Sequence, residues 1–403
     1  MKLPYVNHIT IAFRNGFFNI DLDKNPAAWY LLKMDLQKGV FRMNKCVFFD
    51  HAAATEPDPE VLECFAAESR THYANSEAVN ILAYRARTAL ANAAEKLSLT
   101  LTGNKNFPVI WGNSATELFK VTASLPEFST SWGTALEHPA LTANLKNFTS
   151  YRQIPVTKET LPDFPENDFK AKLGVLFQVQ SELGIIQDTG KLFPAGSAEA
   201  LLTDAVQAAG KIPLDKNSDI LIISGVKFGS PGGAAMLLAP DGKFTGKLLE
   251  HAEKMRKKDY ALSRISVPMM LAMTFAAEKA VSQMDESFKK VSELNSLIRN
   301  GAAELGIGTT LSDSIPVSPY ILNLLLPDQE AAIVVRALGE RGIYAAAGSA
   351  CSAESGQPSA ALTALGIRGK RSFRALRLSF WKNNTVEDGE FFLSELKNVL
   401  KNY

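Results

Sequence analysis

The sequence predicts an α/β fold: a large domain on a mainly parallel sheet, followed by a smaller α+β domain. Three observations predict it. Short apolar runs such as "FPVIWG", "LGVLFQVQ", "DILIIS" and "AAMLLA" alternate with helical stretches through the middle of the chain, as strands buried on both faces by crossover helices do. Helix starts follow several of these runs, marked by capping residues. After about residue 285 the texture changes to longer helices with few strands between them.

The elements follow in order. Residues 1–42 carry an apolar stretch, "HITIAFRNGFFNI", broken by Arg14 and Asn15. It is too short for a membrane span and lacks a signal-peptide layout, so residues 1–42 are expected to form an upstream extension of unknown role. "CVFFDHAAAT" is a short apolar run ending in a polar turn, and residues 43–57 are expected to join the small domain. Asp58 and Pro59 then give an N-cap and a first helical position. Residues 80–98 place Ile81, Tyr84, Leu90, Ala94 and Leu97 at helical spacing. "FPVIWG" reads as a strand, and Ser114 with Glu117 reads as a capping box opening the next helix. Strand and helix then alternate through "WGTAL", "EHPALTANLKNF", "LGVLFQVQ", "ALLTD", "DILIIS" and "AAMLLA", giving a large domain over residues 58–285. The small domain, residues 286–403, is predicted with helices at 285–304 and 328–341 and a strand near 343–346. A helix from 358, a strand in "FRALRLSF" and a last helix from Thr385 complete it.

Composition narrows the function. The chain has 403 residues, 46% of them apolar and 21% charged, with a net charge of +1. That is an ordinary globular protein of two or three domains. It has no basic run, so neither nucleic acid nor a membrane is expected as a partner. Cys46, Cys64 and Cys351 lie far apart, which suits neither a disulfide framework nor a zinc site and favours a reducing, cytoplasmic setting. His8, His51, His72 and His251 show no ligand spacing, so no metal is expected. Cys64, beside Phe65, and Cys46, at a strand start, read as packed thiols.

Lys227 stands between the strand "DILIIS" and the turn "FGSPGG", and Asp204 ends "ALLTD". Each alone reads as a solvated charge at a strand end. Together they face the crevice beyond the carboxyl ends of an α/β sheet, where ligands bind. Pyridoxal 5'-phosphate needs that pair: a lysine amine to carry it and a carboxylate at its ring nitrogen. Its phosphate suits a helix N-terminus with hydroxyls, which "NSATE" supplies through Ser114 and Thr116.

At this point the sequence resembles the class V aminotransferases, and within them the NifS/IscS-like cysteine desulfurases. The resemblance runs from about residue 46 to the end, through "DHAAAT", "SATE", "EHPA", "SELG", "DAVQ", "AAGKIPLD", "SGVKFGSPGG", "GSACSAESGQPS" and "LRLSF". It implies a pyridoxal-phosphate transferase of fold type I, acting as a homodimer on L-cysteine. It implies that Lys227 carries the cofactor, that Asp204 pairs with the pyridine nitrogen, and that Gln207 bonds the phenolic oxygen. His138 would stack on the ring and move protons. Ser114, Ala115, Thr116 and Ser224 would hold the phosphate, and Arg377 would clamp the substrate carboxylate. Cys351, in a loop of small residues that lets a thiolate travel, would take the sulfur as a persulfide and pass it to an acceptor, as in iron–sulfur cluster assembly. The resemblance also admits a selenocysteine lyase, another lyase or aminotransferase, or a degenerate paralogue acting as an assembly partner.

The chain departs from the family pattern at four places. Val226 replaces the histidine before the lysine, Ser181 stands where an asparagine near the substrate is usual, and "NSEAVN" replaces Asn-Pro-Ser-Ser-x-His. "YALSRISVP" replaces the stretch whose threonine reaches the partner subunit's phosphate. Arg264 falls at that threonine and either crosses the dimer interface in its stead, because arginine binds phosphate through paired hydrogen bonds, or stands as a solvated arginine beside Ser263.

Overall fold

A computed structural model describes residues 8–13, 16–21, 32–35 and 40–43, then 46–164, 170–348 and 358–402; in the first four stretches and at residue 402 only the backbone is described. Two antiparallel hairpins come first, β1 (His8–Phe13) with β2 (Gly16–Asp21) and β3 (Leu32–Asp35) with β4 (Val40–Met43). The sequence reading placed no strands there.

β5 (Val47–Phe48) leads into α1 (Pro59–Thr71) and α2 (Ile81–Thr102). Asp58 caps α1 by accepting the Glu60 N–H, with Pro59 at the first turn, as expected. Asn80, the last residue of "NSEAVN", caps α2, and Gly103 closes it in the left-handed conformation at φ 71°.

The large sheet is built from β6 (Val109–Gly112), β7 (Thr130–Thr134), β8 (Ser150–Ile154), β9 (Leu173–Phe177), β10 (Leu201–Asp204), β11 (Ile220–Ser224) and β12 (Ala234–Leu238). Its order is β6-β12-β11-β10-β9-β7-β8. Only β12 runs against its neighbours. The helices between are α3 (Ala115–Ala123), α4 (Pro139–Phe148) and α5 (Thr189–Leu192), and α6 (Thr245–Lys257) follows the last strand. Strands β9 to β12 are buried at every residue, which is why they read as unbroken apolar runs. Alternate residues of β11 serve the two faces. Leu221 and Ile223 join a core with Met270 and Met273, while Ile220 and Ile222 join Leu118, Leu141 and Leu248.

α7 (Val267–Ser282) and α8 (Met284–Glu304) lead into a four-stranded antiparallel sheet of β13 (Gly308–Thr309), β14 (Ile321–Leu325), β16 (Ala346–Ala347) and β17 (Ala375–Ser379). α9 (Ala331–Gly339), β15 (Ile343–Tyr344), α10 (Ala360–Ala364) and α11 (Val386–Asn402) complete the chain. The single strand predicted near 343–346 is two. Ile343 and Tyr344 pair with Val47 and Phe48, whereas Ala346 pairs with Arg377. The chain changes partners there. The helix predicted from 358 covers only 360–364, capped by Ser359 and followed by Gly366 at φ 80°.

The start and end of the described core are joined. Asp50 bridges to Ser379, and the Ala52 N–H donates to Ser379 Oγ at 2.8 Å. Val47, Phe49, Phe392 and Val399 share one apolar core with α7. This stitching brings residues 50–55 and β17 to the carboxyl ends of β9, β10 and β11. Among the described residues no helix is long and apolar enough to cross a membrane, and no cluster of side chains could hold a metal ion.

Candidate active site

β11 ends at Ser224, and one tight turn, residues 225–227, follows. A Cβ on Gly225 would collide with the Gly232 carbonyl, so the turn closes only around glycine. It aims Lys227 at the "DHAAAT" segment. Lys227 Nζ donates to Ala53 O, Thr55 N donates to Val226 O at 2.7 Å, and Thr55 Oγ1 donates to Lys227 O at 3.3 Å. Burial, and then the Arg377 charge, lower the Lys227 pKa to about 8, against the pull of Asp50 and Asp204. A lysine so depressed gives up its proton more readily than an ordinary one, which brings its neutral, nucleophilic form within reach.

Asp204 is the last residue of β10, level with Phe177 of β9 and Ile222 of β11. It is 7% exposed, and its Oδ1 accepts the Val206 N–H at 3.0 Å. Burial raises its pKa to about 6, while the Val206 bond and Lys227 hold it down. At neutral pH it is a carboxylate. Gln207 follows one turn later, its Nε2 donating to Ala52 O at 2.9 Å and its Oε1 accepting Lys211 Nζ at 3.0 Å.

His138 caps α4. Its Nδ1 accepts the Ala140 N–H at 3.2 Å, so the neutral ring carries its proton on Nε2. Burial, Lys227 and Arg377 lower its pKa, which keeps the ring neutral. Arg377, on β17, is 4% exposed. Its Nη2 pairs with Asp50 Oδ1 at 2.7 Å and its Nη1 donates to Ser181 O at 3.1 Å.

One cavity gathers Lys227, Asp204, Gln207, His138, Ser181 and Arg377. Ser114, Ala115, Thr116, Ser224 and Arg264 do not line it. Ser114 caps α3, accepting the Glu117 N–H at 3.2 Å. The expected box is altered, because Glu117 accepts from Asn113 and Ser263 N–H groups at 2.7 and 3.0 Å. Register puts this helix start at the same sheet end as the lysine, since Gly112 pairs with Ala234 and Ala234 with Ser224. Arg264 is exposed there, its carbonyl accepting Asn113 Nδ2 at 3.4 Å. Cys351 lies outside the described residues. Cys46, read as a packed thiol, is exposed, and Cys64 is half-buried. Cys46 lies just ahead of β5, so its side chain never enters the core.

The donor set suits a pyridine ring bearing an aldehyde and a phosphate. A buried carboxylate faces the lysine across one cavity, a neutral imidazole and an amide flank them, and a capped helix start stands at the same sheet end. The sequence matches the family described as Aminotransferase class-V over residues 47–392.

The chain belongs to the class V aminotransferase family.

Among its class V relatives, a cysteine desulfurase of Gluconacetobacter diazotrophicus is 26% identical over 377 residues, covering 88% of this chain and 93% of that protein. The cysteine desulfurase IscS of Methanosarcina thermophila is 25% identical over 386 residues, covering 89% and 93%. A solved structure described as a NifS-like protein superposes with a TM-score of 0.74 at 22% identity, covering 89% of this chain and all of that one. This likeness bears out the α/β fold, here the fold type I of the class V family.

Three side chains beside the cavity had no role in the sequence reading. Asp50 holds Arg377. Lys211 holds Gln207. Glu137, next to His138, is buried and accepts Thr134 Oγ1 at 2.7 Å, and burial raises its pKa to about 8. Asp50 stood in the quoted "DHAAAT" and Lys211 in "AAGKIPLD". Neither motif discloses which distant side chain its charge meets.

Proposed function

We propose that this chain is a cysteine desulfurase: it removes sulfur from L-cysteine, leaves L-alanine, and carries the sulfur as a persulfide on Cys351. The observation that carries the reading is the single cavity in which Lys227, Asp204, Gln207, His138 and Arg377 meet, in a family whose relatives named above are cysteine desulfurases.

Lys227 would hold pyridoxal 5'-phosphate through its amine. Asp204 would accept the hydrogen bond of the ring nitrogen, and Gln207 would donate to the phenolic oxygen. Ser114, Ala115, Thr116 and Ser224 would hold the phosphate. When bound, the cofactor supplies a ring that accepts the electron pair of a breaking substrate bond. Arg377 orients the substrate carboxylate, His138 exchanges a proton at Nε2, and Ser181 lines the wall beside the arginine. The lowered pKa of Lys227 frees its amine, and the ionised Asp204 keeps a positive partner opposite it.

The same reading makes the working unit a homodimer. Tyr73, Val79, Ile81 and Tyr84, around the start of α2, and Tyr260, in the stretch before Arg264, are large apolar side chains left exposed, as interface residues would be. Arg264 would reach the partner's phosphate from there. The acceptor of the sulfur would be a protein serving iron–sulfur assembly, in the cytoplasm.

The test is direct. The protein reconstituted with pyridoxal phosphate is given L-cysteine with a reductant, and alanine and sulfide are measured together. Equal yields of both, with a visible cofactor band, are expected. Cys351→Ser should keep the band and lose at least about tenfold in sulfide release, because serine cannot carry a persulfide. Full release from that variant would make the protein a lyase that needs no thiol. Absence of a band in the parent would remove the cofactor reading altogether.

A further inference from the structure

Lys211 is 2% exposed. Among the described residues its ammonium meets no carboxylate. The charged groups that face it are Lys227 and Arg377, both repelling it, and His51, which is buried and neutral. The Tyr320 ring lies 5.8 Å from Nζ. A buried ammonium without a counter-ion is costly, and an apolar side chain of the same length would stabilise the fold more. The position therefore carries an expense that packing does not explain.

Among the described residues, the ammonium donates one hydrogen bond, to Gln207 Oε1 at 3.0 Å. The backbone sets this up. Residues 205–212 form two successive turns after β10, with Ala209 N donating to Ala205 O and Ile212 N to Ala208 O. Gly210, at φ 72°, bends the chain where a Cβ would meet Ala280 at 2.8 Å, so the turn cannot drift.

Gln207 has one acceptor oxygen and two amide hydrogens. Lys211 takes the oxygen and Ala52 O takes one hydrogen. The other hydrogen belongs to a side chain that lines the cavity. A donor at the carbonyl end of an amide strengthens donation at its nitrogen end, because hydrogen bonds in a chain polarise one another.

We propose that Lys211 is a positioning residue: it holds and polarises the Gln207 amide so that Nε2 faces the cavity as a strong donor to the phenolic oxygen of the cofactor. This rests on the reading of Lys227 as the cofactor lysine. The charge on Lys211 is lost as pH rises through about 7, since burial lowers its pKa to that value, but its hydrogen bond survives deprotonation because a neutral amine still donates.

The test is a spectral titration of the holoenzyme. A donor at the phenolic oxygen favours its anion, so weakening that donor moves the pH midpoint of the cofactor's visible band upward. Lys211→Met should raise the midpoint by about half a pH unit or more. Gln207→Leu should raise it by at least as much, and the double variant should match Gln207→Leu alone, because Lys211 acts through that amide. Lys211→Gln, which keeps a donor, should lie nearer the parent than Lys211→Met. Far-ultraviolet circular dichroism checks the fold, and Lys211→Leu replaces the methionine variant if that one misfolds. An unmoved midpoint in the donor-less variant, additive shifts in the double variant, or a glutamine variant no better than methionine would each overturn the proposal. A parent without any band would fail the Lys227 reading instead, so the two failures are distinct.

Discussion

Asp50→Asn tests how Arg377 is held and what it competes for. Nη2 of the arginine meets Asp50 Oδ1 at 2.7 Å, with side-chain exposures of 5% and 23%. Nη1 donates to Ser181 O at 3.1 Å. Removing one partner of a fully buried pair costs about 3–5 kcal/mol. Asparagine keeps an oxygen at the same place, and Asp50 is partly wet, so the loss is smaller, about 1–2 kcal/mol. The melting temperature should fall by a few degrees, and further in Asp50→Ala, which loses the acceptor as well.

The effect on function runs the other way. A substrate carboxylate that reaches Arg377 must share the guanidinium with Asp50. Neutralising Asp50 leaves the whole positive charge for the substrate. A gain of about 1 kcal/mol in that contact is roughly a fivefold tighter complex. KM for L-cysteine should fall about three- to tenfold with kcat changed less. The assay is alanine formation against L-cysteine concentration, beside a thermal melt on the same preparations. A KM that rises while the melting temperature stays high would refute the reasoning, since Asp50 would then serve to aim the arginine rather than to compete with the substrate.

Arg264→Ala should weaken retention of pyridoxal phosphate through dialysis by about tenfold, the loss expected from one charge-assisted phosphate contact, and Val226→His should recover part of it. Equal retention in Arg264→Ala and the parent would remove the cross-subunit contact. Glu137→Gln should stabilise the protein at pH 8 and change little at pH 4. The folded pKa of Glu137 is raised to about 8, so its contribution is full below the unfolded value and is lost as pH rises through about 8. Urea unfolding of both proteins at several pH values measures the widening gap, and a constant gap would show that Glu137 does not titrate in that window.

Most of the fold was legible because its strands are buried on both faces. Ile220–Ser224 and Ala234–Leu238 are buried throughout, and an unbroken apolar run survives reading without any knowledge of neighbours. Caps were legible for a similar reason. Asp58 and Ser114 act within three residues of themselves. Ser114 shows the limit too, since the Glu117 half of that box turned to Ser263, 146 positions away. The break between Tyr344 and Ala346 was illegible because it depends on two distant partners, Phe48 and Arg377.

The same distinction governs the site. Lys227 and Asp204 could be named from sequence because Asp204 ends β10 and Lys227 lies one tight turn beyond β11, its parallel neighbour, and strand ends converge by topology. Asp50 and Lys211 could not, because their roles exist only through side chains 327 and 4 positions away, and a spacing of four names no role. What those two add is a charge balance. Lys227 and Arg377 lower the pKa of Lys211, and Arg377 lowers that of Lys227, against two carboxylates, Asp50 and Asp204, that favour the Lys227 charge. The chain as a whole carries a net charge of only +1, so this surplus is local. In a low-dielectric cavity a local surplus draws anions far more strongly than a surface charge does. A cofactor with a phosphate and a phenolic oxygen, and a substrate with a carboxylate, are the ligands such a cavity selects. Its cations are therefore destabilising groups in the fold that become binding groups in the complex.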